Sequence, residues 1–202
     1  MKKIMFVCTG NTCRSPMAEV ILRAMLKDKS VTGIKVSSGG VSPVVGQPIM
    51  ENANKALEKL GFKPVKYRAK QFLKTDIEEQ DLIICMTESH KKYIGNFENI
   101  TTVAAITGLH DVDDPYGDSV ETYIKTAEYL KYACGDIISL IQKALLAEKQ
   151  EKANLAALKK RKVAEAKALK AVSKPPKEKV RSKKEKVKSN DSDSVRPRRR
   201  QS

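Results

Sequence analysis

The chain is most tightly constrained between Val7 and Pro16, where a short apolar run gives way to Thr9, Gly10, Asn11, Thr12, Cys13, Arg14 and Ser15 before an amphipathic segment begins. Ile4 to Cys8 is nearly continuous in apolar residues, the pattern of a strand buried on both faces of a parallel sheet. Five residues separate Cys8 from Arg14, enough chain to curl a ring of backbone N–H groups around one tetrahedral anion. Pro16 suits the first position of a helix, where its missing N–H is no loss, and Ser15 suits the N-cap, so the positive end of the helix dipole faces the loop. Gly10 and Asn11 are expected to take the positive φ values that a tight loop needs.

Such a loop carries chemistry as well as shape. An electropositive surround favours the thiolate, which is the attacking species, so Cys8 is the expected nucleophile. Arg14 offers a planar fork of donors that matches phosphate oxygens two at a time, which lysine does less well. The plainer reading of Cys8, a buried cysteine at a strand end, leaves Arg14, the Gly10-Asn11 pair and the helix start without a purpose.

Downstream, strand and helix patterns alternate. Met17 to Lys29 reads as a helix with Val20, Ile21, Ala24 and Met25 toward the core. Val31 to Ser37 alternates as a second strand and ends in a Ser38-Gly39-Gly40 turn. Gly46-Gln47-Pro48 opens a helix to about Leu60, closed by Gly61, while Pro64 to Leu73 is irregular. Thr75 to Glu79 is a short helix, Asp81 to Met86 a third strand, Glu88 to Ile94 a helix and Asn99 to Ile106 a β-branched fourth strand. After the loop at Asp113 to Asp118, Ser119 caps a long helix in which Tyr123, Ala127, Leu130, Ile137, Leu140 and Ile141 recur at helical spacing, together with Val120, Ile124, Ala133 and Ile138. The alternation predicts an α/β fold with a four-stranded parallel sheet flanked by helices, right-handed crossovers, and a ligand site at the carboxyl ends of the strands.

The run CTGNTCRSPMAE, Cys8 to Glu19, resembles the active-site signature of the low-molecular-weight protein tyrosine phosphatase family. A second mark, Asp113-Asp114-Pro115-Tyr116-Gly117, resembles the loop that carries that family's general acid. Ser37 to Val41 and Asp81 to Thr87 are similar to two intermediate strand ends of the family. The resemblance covers about residues 1–148 and implies a flavodoxin-like topology, phosphorylated proteins as substrates, and catalysis without a metal or other cofactor. It implies that Asp114 protonates the leaving group and then activates water against a phosphocysteine, while Asp113 is a solvated or capping neighbour. Thr9 to Arg14 supply backbone donors to the phosphoryl oxygens, and Ser15 donates to the cysteine sulfur. By the same likeness Ser38 supports Asn11, although these residues also fit an ordinary strand-ending turn. Cys13 either protects Cys8 through a reversible disulfide or simply fills space.

Thr12 and Tyr116 bear on the substrate. Tyrosine-specific relatives usually carry isoleucine or leucine before the second cysteine, to pack on a phenyl ring, whereas CTGNTCRSP resembles the bacterial protein arginine phosphatases. A threonine hydroxyl meets a guanidinium with a hydrogen bond and gives an aromatic ring a more polar wall. The acid loop has Tyr116 alone where many tyrosine-specific relatives have Tyr-Tyr. Phosphoarginine on proteins is the favoured substrate, with phosphotyrosine the alternative. An arsenate reductase of similar fold needs two further cysteines close together, and the stretch Cys85 to Phe97 has Cys85 only. A degenerate phosphate-binding module is argued against by intact Cys8, Arg14 and Asp114.

The four cysteines, at 8, 13, 85 and 134, have neither zinc-site nor disulfide-framework spacing. Cys85 and Cys134 read as core, and His90 and His110 are isolated and receive no role. With no signal peptide and no apolar run near the ~20 residues of a membrane span, a reduced cytoplasmic protein is expected. Residues 151–202 carry 19 Lys and Arg against 6 Asp and Glu, a net +13 of the chain's +15. The basic character therefore belongs to the tail and says little about the pocket. Residues 149–172 read as an Ala/Lys-rich helical extension of the phosphatase domain, and 173–202 as a disordered tail. That tail either solubilises the protein or contacts nucleic acid or another anionic surface nonspecifically, since it has no aromatic residues to stack on bases.

Overall fold

A computed structural model describes residues 1–172, with side chains through 167, so the expectation for 173–202 lies outside the described residues. Strand β1 (Lys3–Cys8) is the centre of the sheet. It pairs in parallel with β2 (Lys35–Gly40) on one side and β3 (Leu82–Cys85) on the other, and β3 pairs with β4 (Ile100–Thr102), giving the order β2-β1-β3-β4. The near-continuous apolar run of β1 follows from burial on both faces. Ile4, Phe6 and Cys8 join the larger core under α1 (Arg14–Asp28), α2 (Glu51–Lys59) and α6 (Val120–Val172). Met5 and Val7 join a smaller one with Ile83, Cys85 and Ile100, beneath Ile77 of α3 (Thr75–Glu79) and Ile94 of α4 (Glu88–Ile94). The expected four-stranded parallel sheet with helices on both faces is thus present. Because β2 and β3 leave β1 in opposite directions, the loop after Cys8 emerges where the chain order reverses, the usual ligand crevice of open α/β sheets.

Several boundaries differ from the expectation, each for a local reason. Helix α1 begins at Arg14, its N-cap position is Cys13, and no side chain caps it. Ser15 therefore lies inside the first turn, free to serve the cysteine sulfur. The buried stripe of α1 is Met17, Ala18, Ile21, Leu22 and Leu26, leaving Val20, Ala24 and Met25 on its margin. Gly33, at φ 81°, breaks the alternation of Val31 to Ser37, and β2 runs instead through Ser38, Gly39 and Gly40, which pair with Phe6, Val7 and Cys8. The supposed turn is strand. Helix α2 starts at Glu51, later than Gly46, because Pro48 is bridged to Arg68. The fourth strand is cut short where Thr102 Oγ1 accepts the Ala105 N–H at 3.1 Å and starts α5 (Val103–Thr107). A capping bond there outweighs the β-propensity of the residues that follow.

In α6, Tyr123, Ala127, Leu130, Ala133, Ile137, Ile138 and Ile141 are buried, whereas Leu140 falls off this stripe and is exposed. The chain divides into two units, Met1–Asn154 and Leu155–Ser202. In the second, Leu155, Leu158 and Val163 are exposed. Among the described residues, no helix is long and apolar enough to cross a membrane.

Phe6 is 1% exposed at the centre of the larger core. Phe6→Ala is expected to cost about 3–5 kcal/mol, read as a lower midpoint in urea unfolding.

Candidate active site

The loop leaving β1 curls back on itself, so that the backbone N–H of Asn11 donates to Cys8 Sγ at 3.2 Å. Asn11 makes this possible by taking φ 52°, a left-handed conformation that asparagine tolerates. Gly10 does not share it: its φ is outside the positive region, and a Cβ there would only touch Thr12 Oγ1 at 3.5 Å. The glycine that space does require is Gly40, where a Cβ would stand 2.5 Å from the Thr9 carbonyl oxygen. Only a residue without a side chain lets β2 pass this close beneath the loop.

The Asn11 side chain is fully buried and satisfied at both ends. Its Oδ1 accepts the Lys70 backbone N–H at 2.8 Å and the Tyr67 hydroxyl at 3.0 Å. That fixes the amide orientation, so Nδ2 donates to Ser15 Oγ at 2.8 Å and to Ser38 Oγ at 3.1 Å. Ser38 in turn donates to Glu19 Oε2 at 2.7 Å. Ser15 Oγ, having accepted from Asn11, lies 3.0 Å from Cys8 Sγ and 3.4 Å from the Gly39 carbonyl oxygen, and the sulfur is the nearer acceptor for its hydrogen.

Arg14 and Asp114, far apart in sequence, meet here. The Arg14 side chain is buried; Nη1 donates to the Val112 carbonyl at 3.3 Å and Nη2 to Asp114 Oδ2 at 2.5 Å. A pocket of about 240 Å³ opens above them. Thr9, Gly10, Thr12, Cys13, Arg14, Asp114 and Tyr116 line it, joined by Ser42, Val44 and Gln47 from the chain after β2. Cys8 is buried under the loop that forms this lining. Thr12 is also buried, with Oγ1 3.6 Å from Cys13 Sγ, and Tyr116 is largely exposed at the rim.

The cysteines have unlike surroundings. Burial pushes the Cys85 thiol up to about 12 and raises that of Cys134 as well. Cys13 is raised chiefly by burial, against a hydrogen bond from Tyr123, whose hydroxyl lies 3.2 Å from its sulfur. These three are held as neutral thiols, and Cys8 Sγ differs from them in lying against the Asn11 backbone N–H and the Ser15 hydroxyl. Among the described residues, no three His, Cys, Asp or Glu side chains cluster closely enough to hold a metal ion.

Three participants were not legible in the sequence. Tyr67 and Lys70 lie in the stretch without periodicity, and their support of Asn11 has no local signature. His90 looked isolated but is buried, with Nε2 2.9 Å from Thr9 Oγ1 and Nδ1 2.6 Å from Thr87 Oγ1. Burial, and then the positive charge of Arg14, push its imidazole down to about 4. The pair of threonines on either side of it in space could be found only with the fold in hand.

A crevice that joins a cysteine, an arginine and an aspartate is matched by similarity over most of the chain. Residues 3–153 fit the family model described as low molecular weight phosphotyrosine protein phosphatase. The chain belongs to this family. It is 36% identical over 140 residues to the low molecular weight protein-tyrosine-phosphatase PtpB of Staphylococcus haemolyticus, covering 67% of this chain and 96% of that protein. It is also 34% identical over 137 residues to a protein-arginine-phosphatase of Bacillus subtilis, covering 63% of this chain and 89% of that one. The crystal structure of a low molecular weight protein tyrosine phosphatase from T. tengcongensis superposes with a TM-score of 0.65 at 37% identity, over 69% of this chain and 99% of that one. This low-molecular-weight phosphatase is therefore an enzyme of the phosphoprotein phosphatase class, with relatives named for two different phosphoamino acids.

The neutral state of His90 has a consequence for stability. Between its ordinary 6.5 and about 4 the unfolded chain binds a proton at this residue and the folded protein does not. The contribution is fully present above pH 6.5 and is lost as pH falls toward 4. Urea unfolding followed across that range should show a falling midpoint, with a shallower fall in His90→Gln.

Proposed function

We propose that this phosphatase hydrolyses phosphoarginine on proteins through a phosphocysteine intermediate. Cys8 Sγ attacks phosphorus, and the phosphorus–nitrogen bond breaks as Asp114 gives its proton to the departing guanidinium nitrogen. Backbone N–H groups between Thr9 and Arg14, with the Arg14 fork, hold the phosphoryl oxygens. The Asp114 carboxylate then takes a proton from water, the water oxygen bonds to phosphorus, and the sulfur–phosphorus bond breaks. Ser15 donates to the leaving thiolate.

The observation that carries the arginine assignment is Thr12, which lines the pocket beside Arg14 and Asp114 with a polar side chain. A hydroxyl there serves a guanidinium and offers less contact to a phenyl ring. The second reading, phosphotyrosine, is favoured by exposed Val44 and Tyr116 in the same lining, which provide apolar and aromatic surface for a ring. The protein-tyrosine and protein-arginine phosphatases among its relatives support the two readings alike.

The test is kcat/KM on phosphoarginine and phosphotyrosine peptides of matched sequence. The wild type is expected to prefer phosphoarginine, and Thr12→Ile to move the preference toward phosphotyrosine by about tenfold, the scale of one buried polar contact. A wild type that prefers phosphotyrosine overturns the assignment. Cys8→Ser is expected to abolish turnover on both peptides in a phosphate-release assay while phosphate binding survives.

A further inference from the structure

His90 is a buried titratable side chain beside the site to which the catalytic cycle gives no task. It stands at the start of α4, between two threonine hydroxyls that belong to different elements. Thr87 Oγ1 accepts the His90 backbone N–H at 3.3 Å, capping the helix, and lies 2.6 Å from Nδ1. Thr9 Oγ1, in the cradle, lies 2.9 Å from Nε2. The two distances differ in the way O–H and N–H donors differ. The assignment that fits these distances gives the Thr87 hydrogen to Nδ1 and leaves the proton of the neutral ring on Nε2, directed at Thr9.

An hydroxyl that accepts from Nε2–H is oriented. Its own hydrogen cannot lie along that line and is turned elsewhere. Thr9 is exposed and lines the pocket with Gly10 and Arg14, so the free hydrogen is available to a group bound there. We propose that His90 is a positioning residue that holds Thr9 Oγ1 as an acceptor, making the Thr9 hydroxyl a side-chain donor to the anion in the Cys8 cradle. This rests on the anion-cradle reading of the loop and adds a side-chain contact to its backbone donors.

The neutrality of the ring is part of the device. Arg14 from α1 opposes a second proton, while Asp111 and Asp114 from the loop before α6 favour one, and burial decides for the neutral form. An imidazolium would donate from both nitrogens and take from Nδ1 its acceptor role toward Thr87. With the ring proton on Nε2, the chain Thr87 to His90 to Thr9 runs from the helix cap to the cradle.

Two substitutions separate the ring nitrogens. In His90→Asn the amide stands where Nδ1 stands, so it can serve Thr87 but not reach Thr9. In His90→Gln the longer amide can place an N–H where Nε2 is. Calorimetric titration with inorganic phosphate reads the effect apart from any choice of phosphoamino acid. His90→Asn should weaken phosphate by about tenfold, the scale of a hydrogen bond to a charged group, and His90→Gln should recover most of that loss. Thr9→Val should weaken it to a similar extent, and the Thr9→Val/His90→Asn double variant no further, because both changes remove one interaction. Phosphate affinity unchanged in His90→Asn, or losses that multiply in the double variant, would overturn the proposal. Should His90→Asn fail to fold, Thr9→Val alone decides, since it leaves α4 untouched: undiminished binding sinks the idea. A wild type that does not bind phosphate removes the cradle reading and this proposal together, whereas a wild type that binds and an unaffected His90→Asn remove only the relay.

Discussion

The site depends on a single carboxamide having one way round. Asn11 accepts from the Lys70 backbone and from Tyr67, so its nitrogen is committed to Ser15 and Ser38. Buried amides of this kind are costly to leave half satisfied and specific when complete. Because the same residue sits at φ 52° and donates its backbone N–H to Cys8 Sγ, the shape of the loop and the surroundings of the sulfur are set by one residue. Ser15, freed from capping α1, completes that arrangement from the helix side.

Much of this was readable because the loop is contiguous. Cys8 to Ser15 lie next to one another, and residue type and spacing are enough to suggest an anion cradle. The sheet was readable too, since strands buried on both faces leave long apolar runs. What failed to read was the support that arrives from elsewhere. Pro64 to Leu73 has no period because it is neither helix nor regular strand, yet Lys70 reaches Asn11 from it, and Gln71 is bridged to Gly40. His90 has no sequence neighbour that hints at Thr9. Ser38 to Gly40 looked like a turn on composition, while their pairing with Phe6 to Cys8 makes them the strand that carries the loop. The positive φ expected of Gly10 belongs to Asn11 alone, and the steric demand for glycine falls on Gly40 instead.

The four cysteines show how little the residue type decides by itself. Cys85 and Cys134 lie in apolar cores and are held as thiols. Cys13 is only five residues from Cys8, but its sulfur faces a tyrosine hydroxyl in place of the loop's backbone amide. The surroundings of sulfur differ at each position, and among the four the fold sets a loop backbone N–H against Cys8.

The ion pair between Arg14 and Asp114 also joins two distant parts of the chain. A buried guanidinium needs a counter-charge, and Asp114 supplies it at 2.5 Å. The partners meet solvent unequally, Arg14 sealed and Asp114 half open, so the loop before α6 is fastened to the start of α1 by a contact one hundred residues apart in sequence, and the mouth of the crevice is held from its outer side.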